Sequence, residues 1–181
     1  SMMWGLRHLG AFDEDHHGTN VLDTGAPFYD TYECADGKYV AVGALEPQFY
    51  AELLAKTGLG EQDVGPQMDR TGWAKLREHL TDLFRTKTRA EWQAVLEGSD
   101  ACFAPVLTMS EAAEHPHVRA RQTVVEHDGV LQPAPAPRFS RTQPELRLPA
   151  PRPGEHTDAA LADWGFDAAD LRTLRDAGAI R

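Results

Sequence analysis

The sequence predicts an α+β fold: a small antiparallel sheet of about three strands packed with several helices, then a proline-rich extended arm and a short helical tail. Three observations predict it. A β-rich stretch is folded back on itself at Asp36-Gly37, a strong hairpin signal. Apolar residues recur at helical spacing in three segments between residues 47 and 96. Seven prolines then fall between Pro133 and Pro153, a density that excludes a regular helix or a central strand.

Residues 1–24 read as a linker, because Asp13-Glu14-Asp15-His16-His17-Gly18 is polar and aperiodic. Residues 25–132 read as the small α+β domain. In its first strand Tyr29, Thr31 and Glu33 point to one side, and Phe28, Asp30 and Tyr32 to the other. Tyr39-Val40-Ala41-Val42 is the mostly apolar second strand. Pro47 suits the first turn of a helix over 47–57, with Phe49, Tyr50, Leu53 and Leu54 on its buried stripe and Gly58 and Gly60 as its stop. Trp73, Leu76, Leu80 and Leu83-Phe84 mark a second helix. Thr88 with Glu91 is a capping box for a third, whose buried face is Trp92, Val95 and Leu96. Ala101 to Leu107 is a short apolar strand broken by Pro105. Ser110 to His115 reads as a short helical piece, and residues 122–132 as a further hairpin turning at Asp128-Gly129. Residues 133–153 are the arm, with polyproline character. Residues 154–181 are the tail, two short helices with Asp167 as an N-cap and Gly178 as a C-cap.

Bulk composition narrows the function. The chain has 181 residues, 41% of them hydrophobic, enough for one core. A formal charge of −10 argues against nucleic acid, whose phosphates demand clustered cations. No apolar run approaches the ~20 residues that span a bilayer, so no membrane partner is expected. The start carries no signal-peptide pattern, and Ser1 before Met2-Met3 reads as a cloning remnant or truncation point. Cys34 and Cys102 are far apart and read as reduced and partly buried, which suits a cytoplasmic protein.

Several fragments, in order, carry a resemblance. They are Trp4-Gly5-Leu6-Arg7, Gly18 to Asp23, Gly25 to Tyr32, Asp36 to Tyr50, Ser99 to Val106, Pro135 to Ser140, and Pro153-Gly154-Glu155-His156-Thr157. Together they resemble the small domain of the α-methylacyl-CoA racemases, within the family III (CaiB/BaiF-type) CoA-transferase superfamily. The resemblance covers nearly the whole chain. It implies that the chain is the C-terminal part of a longer enzyme and that residues 1–24 leave a large domain. It further implies that the tail docks back on that domain, and that two subunits interlock as a homodimer.

The implied reaction epimerises a 2-methylacyl-CoA by removing the α-proton and returning one to the opposite face. Two proton carriers must flank that carbon, each supplying ~10²–10⁴ in rate. In the family they resemble a histidine and an aspartate of the large domain, for which this chain has no matching motif, so the fragment alone is expected to be inactive. Glu46 sits where the hairpin meets its helix. By resemblance it orients that histidine, fixing its tautomer and raising its basicity. From position alone it would simply favour a helix N-terminus, worth ~0.3–1 kcal/mol. Leu22, Tyr29 and Leu45 match positions that line the acyl and thioester pocket, with plain packing as the other reading. No cofactor is expected, because coenzyme A is part of the substrate.

Other patterns carry less. His16-His17 diverge, His115-Pro116-His117 could share one face of an extended segment, and no ligand set stands at zinc spacing, so no metal is expected. Glu155-His156 is better explained by a capping Thr157 than by an acid–base dyad. Gly58-Leu59-Gly60 is too short for a phosphate loop. The alternatives to a racemase are a CoA transferase of the same superfamily and a non-catalytic dimerisation or binding module. Asp23-Thr24-Gly25-Ala26-Pro27 has a single glycine, whereas several transferases carry a glycine-rich loop there, which favours the racemase.

Overall fold

A computed structural model describes residues 2–180. The chain divides into two compact units, Ser1–Thr108 and Met109–Arg181. The expected 25–132 domain therefore spans parts of both.

The first unit is built on a three-stranded antiparallel sheet of order β1-β2-β3, with β1 Tyr29–Glu33, β2 Tyr39–Gly43 and β3 Phe103–Pro105. Tyr29 pairs with Gly43 and Glu33 with Tyr39, so the turn falls at Asp36-Gly37 as the sequence predicts. Burial alternates along both strands, with Tyr32, Val40 and Val42 inside. The helices of this unit are α1 Met2–His8, α2 Pro47–Thr57, α3 Glu61–Val64, α4 Trp73–Phe84 and α5 Arg89–Leu96. Pro47 opens α2, where a missing N–H costs nothing, and Gly58 closes it in the left-handed conformation that a side chain would oppose. Thr88 and Glu91 exchange the expected capping-box bonds at α5.

Aromatic rings fill the core in a chain of contacts. Phe28 meets Tyr50 and Trp73 edge-on at 5.5 and 5.8 Å, and Phe84 stacks on Tyr32 at 5.2 Å and meets Trp92 edge-on at 5.1 Å. Such pairs add ~0.5–1.5 kcal/mol each beyond their burial. The Trp92 indole donates to the Phe84 carbonyl at 2.8 Å, and the Tyr32 hydroxyl to the Pro27 carbonyl at 2.6 Å, so neither ring buries an unpaired donor. Burial pushes the Tyr32 phenol well above its usual range, which keeps it a donor.

Residues 2–24, expected as a linker, contain ordered elements. Met2, Met3 and Leu6 share a short helical period in α1, and Arg7 pairs with Glu14 at 2.6 Å. Cys34 is buried as expected, but Cys102 is exposed, and both are free thiols.

The second unit holds α6 Met109–Glu114, α7 Pro116–Ala120, a hairpin of β4 Val124–His127 and β5 Val130–Pro133, and helices α8 Thr157–Asp163 and α9 Ala168–Asp176. Residues 134–156 form no helix or strand, as the prolines dictate. Arg138 fastens this arm by donating to the carbonyls of Arg121 and Gln122. Two local expectations are corrected. Thr157 is the first helical residue of α8 and His156 occupies the cap position, because the helix starts one residue earlier than a capping Thr157 requires. His115 caps α7 by accepting from the His117 N–H at 3.3 Å, so this pair is not extended.

Candidate functional site

The site is assembled where the segment before β1, the sheet and the start of α2 converge. Residues Val21–Gly25 make one wide turn, closed by the Gly25 N–H donating to the Asn20 carbonyl at 2.9 Å, a five-residue spacing. Asn20 is the chain's buried polar anchor, 4% exposed. Its side chain accepts from Asp13 N–H at 2.6 Å and donates to the Asp13 carbonyl at 2.8 Å and the Asp23 carboxylate at 2.7 Å. The Asp23 carboxylate also accepts from the Asn20 N–H, and the Asn20 side-chain bond leads the causes that hold its pKa below the usual range.

A side chain at position 25 has no room. A Cβ there would lie 2.5 Å from the Thr19 carbonyl carbon and 2.7 Å from the Asn20 nitrogen, all backbone. Next to it Thr24 is left-handed, at φ 74°, a conformation that costs a β-branched residue ~1–3 kcal/mol. This turn sets Leu22 against the sheet. A cleft of about 370 Å³ lies between them, lined by Leu22, Thr24, Tyr29, Asp30, Gly43 and Cys102 among others. Leu22 also lines an apolar cavity of about 390 Å³ together with Met2, Met3, Leu6, Phe12 and Leu45.

The four sequence-selected residues thus fall around one region. Leu22 and Tyr29 share the cleft, and Leu22 and Leu45 share the cavity beside it. Glu46 is exposed at the start of α2, with extended φ −74° and ψ 142°. Its carbonyl accepts the N–H groups of Phe49 and Tyr50 at 3.0 Å, while its carboxylate makes no capping bond. The carboxylate acts instead across the joint: burial first, then Glu46 and Asp100, raise the Cys102 thiol above its ordinary pKa. The shift makes Cys102, beside the cleft, a weaker nucleophile than a free cysteine. Replacing Glu46 with Gln is expected to speed iodoacetamide alkylation of Cys102 at pH 8. An unchanged rate would put the carboxylate out of electrostatic reach.

Four supporting residues escaped the sequence reading. Gln67 donates to the carbonyls of Ala44 and Leu45 at 3.0 and 2.9 Å, fixing the backbone just before Glu46. Arg77 grips the turn and β1. Asn20 and Asp23 have the local spacing of a helix cap and were legible on that signal; Gln67 and Arg77 act across more than twenty residues and had none.

Residues 2–157 match CoA-transferase family III. The chain belongs to that family. This family III chain is 41% identical over 177 residues to the alpha-methylacyl-CoA racemase of Mus musculus, covering 96% of this chain and 46% of that protein. It is 30% identical over 157 residues to a formyl-CoA:oxalate CoA-transferase of Rhodopseudomonas palustris (strain HaA2), covering 75% of this chain and 36% of that one. It spans less than half the length of each. Its fold matches a CAIB/BAIF family protein from Brucella suis with a TM-score of 0.59 at 21% identity, over 88% of this chain and 43% of that one. The α+β architecture with a small antiparallel sheet is the family's. Among the described residues no group of three or more His, Cys, Asp or Glu stands together as a metal site. No helix among them is long and apolar enough to cross a membrane.

Proposed function

We propose that this family III chain supplies the thioester-facing half of an α-methylacyl-CoA racemase, with Glu46 orienting a histidine contributed by the rest of the protein. The observation that carries this reading is the grouping of Leu22, Tyr29 and Leu45 around an apolar cleft and cavity, with an uncapped carboxylate at the adjoining strand–helix joint. The 41% identity to a racemase supports it. A 2-methylacyl group is apolar and branched, which suits walls of leucine, methionine and aromatic side chains. An exposed carboxylate pairs well with an incoming imidazole, whose cation it stabilises. The same reading carries an interlocked homodimer, a cytoplasmic location and no cofactor beyond the coenzyme A of the substrate. The CoA-transferase reading is the second, favoured by the 30% identity to a transferase.

The test is α-proton exchange of a 2-methylacyl-CoA in deuterium oxide. The chain alone is expected to show none, and the protein joining it to the portion its relatives carry is expected to exchange and epimerise. Exchange by the chain alone would place the proton carriers here. Acyl transfer between CoA thioesters without epimerisation would replace the racemase with the transferase.

A further inference from the structure

Arg77 is the point where both walls of the cleft are tied to one cation. It lies in the middle of α4, its side chain 36% exposed, against an Asp30 side chain only 12% exposed. One guanidinium nitrogen, Nη1, donates to the Asp30 carboxylate. The other, Nη2, donates to the Thr24 carbonyl at 2.5 Å and the Gly25 carbonyl at 3.1 Å. Asp30 belongs to β1, and Thr24 and Gly25 to the turn that carries Leu22. Thr24 and Asp30 themselves line the cleft, one from the turn and one from β1. The planar fork of Arg can serve a carboxylate and two carbonyls at once, which the single ammonium of Lys cannot do in the same geometry.

The turn needs such a clamp. Its left-handed Thr24 persists only if neighbours over-determine it. The Asn20–Asp23 bonds hold its near end and Arg77 its far end. We propose that Arg77 is a positioning residue: it sets the separation of the Leu22 and Tyr29 walls, and so the placement of the acyl thioester between them, without touching it. This rests on the acyl-CoA reading above. Misplacing a reacting group by about 1 Å costs ~10²-fold in rate, so a slack wall should be costly even though the chemistry is elsewhere.

The experiment has two arms. In the chain itself, amide hydrogen exchange is followed residue by residue for wild type, Arg77→Met and Arg77→Lys. Arg77→Met is expected to raise exchange of the Gly25 amide at least ~10-fold while leaving the β1–β2 amides protected, since loss of the clamp opens the turn locally rather than the sheet. Arg77→Lys should fall between. Equal protection at Gly25 in all three overturns the clamp, whatever the reaction is. In the protein joined to its remaining portion, Arg77→Met is expected to lower kcat/KM for a 2-methylacyl-CoA ~10²-fold, with Arg77→Lys partly restoring it. A loosened turn with unchanged kinetics overturns the positioning role and leaves the acyl-CoA reading standing. A wild-type protein inert towards every CoA thioester overturns that reading and the substrate assigned here, while the exchange data still decide whether Arg77 clamps the turn.

Discussion

Glu46→Gln is expected to lower racemase turnover ~10²-fold or more in the protein that carries both halves, with KM for the acyl-CoA changed little. The substitution keeps the shape and removes the charge. At an exposed position that does not cap its helix, it should shift stability by no more than ~0.5 kcal/mol. What it removes is the anion that would hold an imidazole in one tautomer and stabilise its cation. The loss is therefore expected in a step where the histidine moves a proton, which is kcat. A second signature follows from the sign of the charge. A nearby carboxylate raises an imidazole pKa, so Glu46→Gln should move the histidine-controlled limb of the kcat profile to lower pH. Unchanged turnover, with the limb in place, would reduce Glu46 to a helix-terminal charge.

Gly25→Ala is expected to destabilise the first unit by about 2–4 kcal/mol, read as a lower urea midpoint. The physical reason is that nothing near position 25 can yield. The added methyl would meet backbone atoms of Thr19 and Asn20, which cannot swing aside as a flexible side chain would. To make room, the Val21–Gly25 turn must open. That breaks the bond from the Gly25 N–H and leaves the carbonyl of the buried Asn20 short of a donor, at a cost of ~1–3 kcal/mol for an unsatisfied buried group. Gly5→Ala is the control. A Cβ there meets nothing within 4 Å, and it sits in a helix, where alanine is preferred by ~0.8–1.0 kcal/mol. If both variants unfold with the wild type, the turn is not a rigid support of Leu22.

Much of the first unit is legible because its signals are local. Alternation about Asp36-Gly37, Pro47 before an amphipathic stripe, and Thr88 three residues before Glu91 each require only a few neighbours to act. α1 was missed because its period covers only seven residues beside a polar stretch, too few to separate a helix from a linker by pattern. Glu46 was found by its place between a strand end and Pro47 and by resemblance, and Tyr29 by resemblance alone. Neither route shows that Cys102 feels the Glu46 charge, since those residues are brought together by β3 pairing back onto β2.

By itself the sequence determined the class of fold, the place of the first hairpin turn, the bounds of α2, the capped start of α5 and a carboxylate at the joint of strand and helix. These are set by steric and hydrogen-bonding preferences over a handful of residues. Only the tertiary structure decided that Leu22 is shared by cleft and cavity, that Gln67 props the backbone ahead of Glu46, and that Arg77 joins the two walls. Those contacts close loops of 22 to 53 residues, and a directional hydrogen bond across such a span leaves no periodic trace in the chain.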